Sequence, residues 1–283
     1  LTSKTDLKAA VESDAGVQAQ EQALAEAFGG WWEAQQGQIQ SLPETKALMD
    51  LRSHLLASFV EALAPLALLD RFQVAGAVAT WWGEVVFDLK ALVAGGFAGV
   101  VESWVTTILT ALEEGAGKGT PLDHKLVKKL LPQFLGEIAE AEGRVAELDG
   151  TIKAATASGD DEDGEGEADE EEGLTEAEIK ALKRDLSASK TRLKTLIRGF
   201  EDRLEEALAE LSTEQAEELV LAIQRDDLQQ ELTRRVTAHR QKVVGVVENW
   251  WDKYRVTLVE IESERYSTKQ RLDGFLKELG YVA

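Results

Sequence analysis

The side chains best placed to do chemistry are four carboxylates in the most apolar stretch of the chain: Asp70, Glu84, Asp88 and Glu102. Paired carboxylates can act as general acid and general base when their surroundings push their pKa values apart. The sequence places no nucleophile, base or metal ligand beside them. We therefore expect these acids to cap helices or to pair with Arg71 and Lys90, and we predict no catalytic residue.

Thiol and metal chemistry have few residues to work with. The 283 residues contain no cysteine, which excludes disulfides, zinc–thiolate sites and cysteine nucleophiles. The three histidines, His54, His124 and His239, are far apart in the sequence and predict no shared metal centre.

Two segments come close to known ligand-binding loops, and each lacks a required residue. In GAGKGT, residues 115–120, Lys118 is followed by Gly119, where a phosphate-binding loop needs Ser or Thr. In the acidic tract, position 1 of a calcium loop would be Gly159, which has no carboxylate. We interpret both segments as solvent-exposed loops.

The charge of the chain argues against a general binder of nucleic acid. There are 31 Lys and Arg against 52 Asp and Glu, a formal net charge of -21. A local DNA contact is still open, because one predicted helix carries a cluster of basic residues that includes candidates for phosphate binding. These candidates are Arg234, Arg235, Arg240 and Lys242. The alternative is a solvated face balanced by nearby Glu.

The elements that must position these residues are predicted to be helices. Only four prolines and one asparagine interrupt the chain, so we predict an all-α fold, although a short strand pair at 85–93 stays open. The predicted segments are a polar helical arm over 1–46, an apolar helical core over 47–120, an antiparallel coiled-coil hairpin over 121–211 and a C-terminal helical docking region over 212–283. The most membrane-like stretch, 91–112, has Glu102 at its centre, so no membrane span is predicted.

Two apolar rows with alternating steps of four and three predict the hairpin. The first row is Phe134, Ile138, Ala141, Val145, Leu148 and Ile152, and the second is Ile179, Leu182, Leu186, Ser189, Leu193, Leu196, Phe200, Leu204 and Leu208. Between them lies SGDDEDGEGEADEEEG, which is too charged and too rich in glycine to bury a core. We predict a disordered acidic tip at 158–174.

The C-terminal region is predicted to contain three helices, one through about residue 224, one over about 227–254 and one over about 257–279. Tryptophan occurs in three adjacent pairs, at 31/32, 81/82 and 250/251. Adjacent helical residues point about 100° apart, so each pair is expected to bury one ring and leave the other at an edge. Such an edge ring can anchor a partner helix.

Residues 248–281 read ENWWDKYRVTLVEIESERYSTKQRLDGFLKELGY, and residues 66–92 read LALLDRFQVAGAVATWWGEVVFDLKAL. Both segments resemble the C-terminal region of the modification subunits of type I restriction-modification systems. The first is similar to a W-D-K-Y-x-V-x-L element and the helix after it, which ends L-x-x-F-L-K-E-L-G-Y. In the second, the corresponding residues are Asp70, Phe72, Trp82, Glu84 and Asp88, whereas Leu89 replaces the family's second Asp.

The resemblance implies a DNA adenine-N6 methyltransferase subunit that uses S-adenosylmethionine, acts on double-stranded DNA and works in the cytoplasm of a bacterium or archaeon. Its implied partners are a specificity subunit, a restriction subunit and a second modification subunit. The family's Asn-Pro-Pro-Phe or Asn-Pro-Pro-Tyr motif is absent, because the single asparagine, Asn249, is followed by Trp250. The implied piece is therefore the non-catalytic region after the catalytic domain, with no cofactor site of its own. Residue 1 is Leu and the single methionine is Met49, so we expect either a piece of a longer polypeptide or a processed product.

The terminal helices are expected to dock on the specificity subunit and to help clamp DNA. The candidate docking residues are Trp250, Trp251, Tyr254, Leu258, Leu272, Phe275 and Leu276. The alternative is a stand-alone coiled-coil scaffold or adaptor with no role on DNA.

Overall fold

The computed structural model describes residues 3–113, 121–157 and 175–279. About 93% of these residues are helical and none lies in a strand, which confirms the all-α prediction. The open alternative at 85–93 is resolved as helix. The GAGKGT loop and the acidic tip lie outside the described residues.

The described ranges hold ten α-helices, and two short 3-10 helices lie at Ala64–Leu66 and Pro121–Asp123. The α-helices are α1 (Lys4–Glu12), α2 (Ala15–Gln40), α3 (Leu42–Thr45), α4 (Leu48–Leu63), α5 (Arg71–Glu113), α6 (Lys125–Leu130), α7 (Pro132–Ala157), α8 (Glu176–Arg198), α9 (Phe200–Ala209) and α10 (Thr213–Glu278). The chain divides into two units, one of Leu1–Phe87 with Gln224–Ala283 and one of Asp88–Ile223. These boundaries do not coincide with the four segments predicted from the sequence.

An aromatic cluster forms the core of the first unit. Its rings come from α2, α4 and α5, and they are Phe28, Trp31, Trp32, Phe59, Trp81 and Trp82. The expectation of one buried ring per tryptophan pair is wrong for the pairs at 31/32 and 81/82, because all four rings are buried. The reason is that other helices cover α2 and α5 on more than one side. Two adjacent tryptophan side chains, which point about 100° apart, can therefore both be buried.

Helix α2 runs without interruption through Gly29 and Gly30, two residues of low helix propensity. A glycine in a helix interior costs only about 1 kcal/mol relative to alanine. The buried rings on either side, Phe28 and Trp31, hold this turn against Phe59 of α4, whose centroid is 4.8 Å from that of Trp31. Tertiary packing therefore outweighs the local preference.

The prediction of three C-terminal helices is wrong, because α10 is one helix from Thr213 to Glu278. The two expected breaks, near residues 225–227 and 255–257, contain neither proline nor glycine. Aspartates such as Asp226 and Asp227 lower helix propensity by only a few tenths of a kcal/mol each, roughly. The buried residues Leu228, Leu232 and Val236 continue the apolar side of the helix past the first expected break.

Caps begin several helices, as the sequence indicated. Asp70 accepts a hydrogen bond from the backbone N–H of Gln73 at 2.8 Å, which confirms a capping role for one of the four core carboxylates. Thr175 and Glu178 form a capping box at the start of α8. Ser212 and Gln215 exchange the equivalent pair of hydrogen bonds at the start of α10.

In the second unit, α7 and α8 pack against each other along the two predicted rows. On α7 the row is buried except for half-buried Val145, and on α8 each position of the row from Ile179 to Leu196 is half-buried. Phe134 at the start of α7 stacks on Phe200, just after the end of α8, with centroids 6.1 Å apart. The two helices therefore run in opposite directions. Knobs-into-holes packing of a coiled coil stays a prediction.

Helix α5 is bent at Gly96, which has φ +66° and ψ −165°. Only glycine adopts this region without strain. The bend falls inside residues 91–112, the most membrane-like stretch of the sequence. Within the described ranges, no helix is both long enough and apolar enough to cross a membrane.

Replacing Gly96 with Ala is expected to lower the free energy of unfolding by about 1–3 kcal/mol, because a Cβ is strained at this φ and ψ. The matched control is Gly95→Ala, one residue earlier, where φ is negative and a Cβ would meet nothing within 4 Å. That control should be neutral or stabilising by up to about 1 kcal/mol. Urea denaturation of both variants measures the difference, and equal stability would contradict the role of the bend.

Candidate docking surface

Two of the four predicted phosphate-binding residues hold helices of the first unit together. Arg235 donates to Glu231 through Nε at 2.8 Å and to the Thr80 hydroxyl on α5 through Nη2 at 3.1 Å. Arg240 Nη1 lies 3.4 Å from a carboxylate oxygen of Glu21 on α2. Both guanidinium groups are thus occupied by contacts within the chain.

The other two predicted phosphate-binding residues face solvent. Arg234 pairs with Glu231, yet 68% of its side chain is exposed. Lys242 is exposed on the same helix. These two residues are therefore the accessible part of the predicted basic cluster.

Glu231 is the residue of this network that sequence reasoning missed. Its side chain is 5% exposed and pairs with both Arg234 and Arg235. The signal was present, because the two arginines follow it at spacings of three and four on one helix. What the sequence did not reveal is that Gly76 leaves space for the guanidinium of Arg235, since a Cβ there would lie 3.0 Å from Nη1.

Helix α1 contacts α10 near Asp252. Lys4 Nζ lies 2.6 Å from the Asp252 carboxylate, and this hydrogen bond raises the pKa of Lys4 above its usual value. Lys4 is the first residue of α1. From Glu260 to Leu279 every residue of α10 is exposed except half-buried Leu276.

The predicted docking residues lie along this uncovered part of α10. Trp250 is 61% exposed, and Tyr254, Leu272 and Phe275 are exposed to a similar degree. Trp251 and Leu276 are half-buried, while the side chain of Leu258 lies outside the described residues. The third tryptophan pair thus comes closest to the expected arrangement of one covered and one outward ring.

This geometry suits binding to another helix. Trp250 and Tyr254 are four residues apart, Leu272 and Phe275 are three apart, and five helical turns separate the two pairs, so all four exposed side chains lie on one face of the helix. An amphipathic helix of this kind buries its apolar face in a groove or against a second helix. We therefore define the docking stripe as Trp250, Tyr254, Leu272 and Phe275.

A second cluster, in the other unit, surrounds Asp88. Its carboxylate accepts from Trp104 Nε1 at 2.7 Å and from Lys125 Nζ at 2.8 Å, and the same ammonium lies 4.7 Å from the Trp104 ring centroid. Asp88 thus pairs with Lys125, a partner other than the Arg71 and Lys90 that the sequence suggested. No spacing in the sequence indicates this pair, whose members are 37 residues apart.

His124 belongs to the same cluster and caps α6. Its Nδ1 accepts a hydrogen bond from the backbone N–H of Leu126 at 3.2 Å, which requires this nitrogen to be unprotonated. Burial lowers the pKa of His124, the positive charge of Lys125 lowers it further, and Asp88 opposes the shift. Over the described residues, no group of three or more His, Asp or Glu side chains is arranged to hold a metal ion.

Acidification is expected to destabilise the second unit through His124. A histidine in an unfolded chain has a pKa of about 6.5, whereas the pKa of folded His124 is lower. Between these two pKa values the unfolded state therefore binds more protons than the folded state. Stability should therefore fall as the pH is lowered through this window. His124→Asn keeps a capping side chain and removes the titration. Thermal midpoints from about pH 7.5 to about pH 5.5 should fall less for this variant, and equal falls would contradict the prediction.

The comparisons with known proteins add no relative. No protein-family model matches the chain, and no curated protein or solved structure matches it. The fold and the surface define a class only, an all-α chain with an uncovered apolar stripe on its longest described helix.

Proposed function

We propose that this chain is the non-catalytic C-terminal region of a type I modification subunit, whose parent transfers a methyl group from S-adenosylmethionine to adenine N6. The observation that carries the proposal is the docking stripe. It lies in the same segment, residues 248–281, that resembles the family's terminal element. A helix that exposes several large apolar side chains has a reason to be covered by a partner.

The partner in this proposal is the specificity subunit, and α10 docks against its helices. The aromatic side chains Trp250, Tyr254 and Phe275 are the anchors, because truncation of aromatic anchors costs most at interfaces. The restriction subunit and a second modification subunit belong to the same complex. Arg234 and Lys242 are the residues of this chain that contact DNA phosphates, since they are the exposed members of the basic cluster.

The second unit has a supporting role in this proposal. In this proposal the antiparallel pair α7 and α8 and the cluster around Asp88 serve as a scaffold. The resemblance assigns catalysis to a domain that precedes this region. The rival function, a free-standing helical scaffold, uses the same stripe for another protein and needs no DNA.

The coding sequence upstream of Leu1 separates these two functions. The proposal expects an in-frame Asn-Pro-Pro-Phe or Asn-Pro-Pro-Tyr motif, a glycine-rich cofactor loop and a neighbouring gene for a specificity subunit. An initiator codon directly upstream, with neither motif, would overturn it in favour of the scaffold.

Copurification tests the docking itself. Coexpressed with the neighbouring specificity subunit, the full polypeptide should be retained on the tagged partner, and the double variant W250A/F275A should be lost from it. Each truncation of an anchor is expected to weaken binding by at least about 30-fold. Tyr266→Ala, an exposed aromatic residue on the same helix outside the stripe, is the matched control. Retention of the double variant with unchanged affinity would contradict this surface.

A further inference from the structure

The uncovered part of α10 carries a heptad row. From Tyr254 the row steps by four and three through Leu258, Ile261, Arg265, Thr268, Leu272, Phe275 and Leu279. Alternating steps of this kind keep one seam of a helix facing a second helix. The described apolar members, Tyr254, Ile261, Leu272, Phe275 and Leu279, are between 55% and 69% exposed.

The row continues a seam that is covered earlier on the same helix. Val244 is buried, and Val247 and Trp251 are half-buried at the preceding positions of the same spacing. Beyond Asp252, where α1 makes its ion pair, no described residue of the chain covers the row. Apolar side chains that are exposed in a row, rather than singly, are typical of surfaces that bind another protein.

Charge is divided about the middle of the row. Glu260, Glu262 and Glu264 precede the middle, which lies between residues 266 and 267, and Lys269 and Arg271 follow it. All five side chains are exposed, and within the described residues none of them takes part in an ion pair. Carboxylates before the middle and cations after it can meet as opposite charges when a second copy runs in the opposite direction.

We propose that the row binds the same row of a second copy of this chain in an antiparallel pair, with its two-fold axis between residues 266 and 267. This register places apolar residues opposite one another in every layer but the central ones. Tyr254 lies opposite Leu279 of the second copy, and Ile261 lies opposite Leu272. The central layers place Arg265 opposite Thr268.

The flanking charges agree with this register. Positions beside the seam pair Glu262 with Lys269 of the second copy, and Glu264 with Arg271, and the two-fold axis repeats each pair. A parallel pair in register would instead place Arg265 against Arg265 of the second copy inside the seam. That arrangement buries two like charges, which is strongly unfavourable.

This inference does not rest on the proposed function. A specificity subunit would compete for the same stripe, so the self-paired form is the state of the chain without that partner. The tests below use the chain alone, without DNA or any other protein. A negative result therefore leaves the docking proposal standing, and loss of docking leaves this one standing.

Sedimentation equilibrium of the full chain tests the pairing. A mass that rises with concentration from 31.0 kDa towards twice this value is expected below about 100 µM. The double variant L272A/F275A should raise the dissociation constant at least about 30-fold, whereas Tyr266→Ala, off the row, should not change it. A monomer at all concentrations would overturn the proposal and leave the stripe to a helix of another protein. Unchanged dimerisation of L272A/F275A would overturn it as well.

Charge reversal tests the flanking pairs. The variants E262K/E264K and K269E/R271E should each fail to pair with themselves, because all four contacts become repulsive. An equimolar mixture should form a mixed dimer, since every contact is then between opposite charges. Self-pairing of either variant with the affinity of the original chain would contradict this register.

Cross-linking tests the direction of the pair. The chain has no cysteine, so single cysteines can be introduced without background. Tyr254→Cys and Leu279→Cys proteins should cross-link with each other when mixed, and neither should cross-link with itself. Cross-linking of each variant only with itself would mean a parallel pair and overturn the proposal.

Discussion

Trp81→Ala is expected to lower the free energy of unfolding by about 3–5 kcal/mol, among the largest losses for one substitution in this chain. Trp81 is fully buried at the centre of the aromatic cluster, with Trp32 at 6.4 Å and Trp82 at 6.5 Å between centroids. Its Nε1 also donates a hydrogen bond to the backbone oxygen of Gln224 at 3.0 Å. The variant loses apolar burial, leaves a cavity and leaves that oxygen without its donor.

Two controls separate these causes. Trp81→Phe keeps most of the ring volume and removes the indole donor, so it should cost less than the alanine variant, about 1–3 kcal/mol. Trp250→Ala deletes the same side chain from an exposed position and should change stability by no more than about 0.5 kcal/mol. Urea denaturation followed by far-ultraviolet circular dichroism measures all three. Equal losses at positions 81 and 250 would mean that the aromatic cluster is not the core.

Arg235→Ala is expected to lower the free energy of unfolding by about 3 kcal/mol, because the nearly buried carboxylate of Glu231 loses the less exposed of its two arginine partners. Arg235 binds Glu231 through two guanidinium nitrogens, at 2.7 and 2.8 Å, and also reaches Thr80 on α5. A carboxylate with 5% of its side chain exposed is poorly compensated by water. Chemical denaturation is again the measurement.

Arg234 gives the matched control on the same carboxylate. Its side chain is 68% exposed, so Arg234→Ala should cost no more than about 1 kcal/mol. Replacing both Glu231 and Arg235 with apolar residues, as in E231L/R235M, should restore most of the lost free energy of unfolding. A buried charge without its partner destabilises the fold more than the loss of the whole pair does. Equal costs for the two arginines would contradict the buried role of Arg235. The contrast also makes Arg234→Ala suitable for testing phosphate contacts, because binding changes would not reflect unfolding.

Local patterns predicted those parts of the chain that a single helix face decides. The rows on α7 and α8 were readable because alternating steps of four and three specify one face, and the covered positions are those rows. The caps at Asp70 and Thr175 were readable because a capping side chain and its partner lie three residues apart. The apolar type of the docking residues is visible in the sequence, whereas their exposure to solvent is visible only in the structure.

Local patterns failed where the environment came from distant segments. The second ring of each pair at 31/32 and 81/82 is buried because other helices cover it, and no neighbour in the sequence specifies that cover. Of the four basic candidates, Arg235 and Arg240 make contacts with residues 155 and 219 positions away. Their type and spacing did not distinguish them from Arg234 and Lys242.

The sequence by itself therefore determined the helical class, the caps and the apolar faces of individual helices, because these depend on interactions within about four residues. Only the tertiary structure decided which of those faces are covered. It buries four tryptophans, pairs two arginines with carboxylates of the same chain and leaves the docking stripe exposed to solvent. Whether an apolar face is core or interface depends on what lies opposite it, and that is a property of the folded chain.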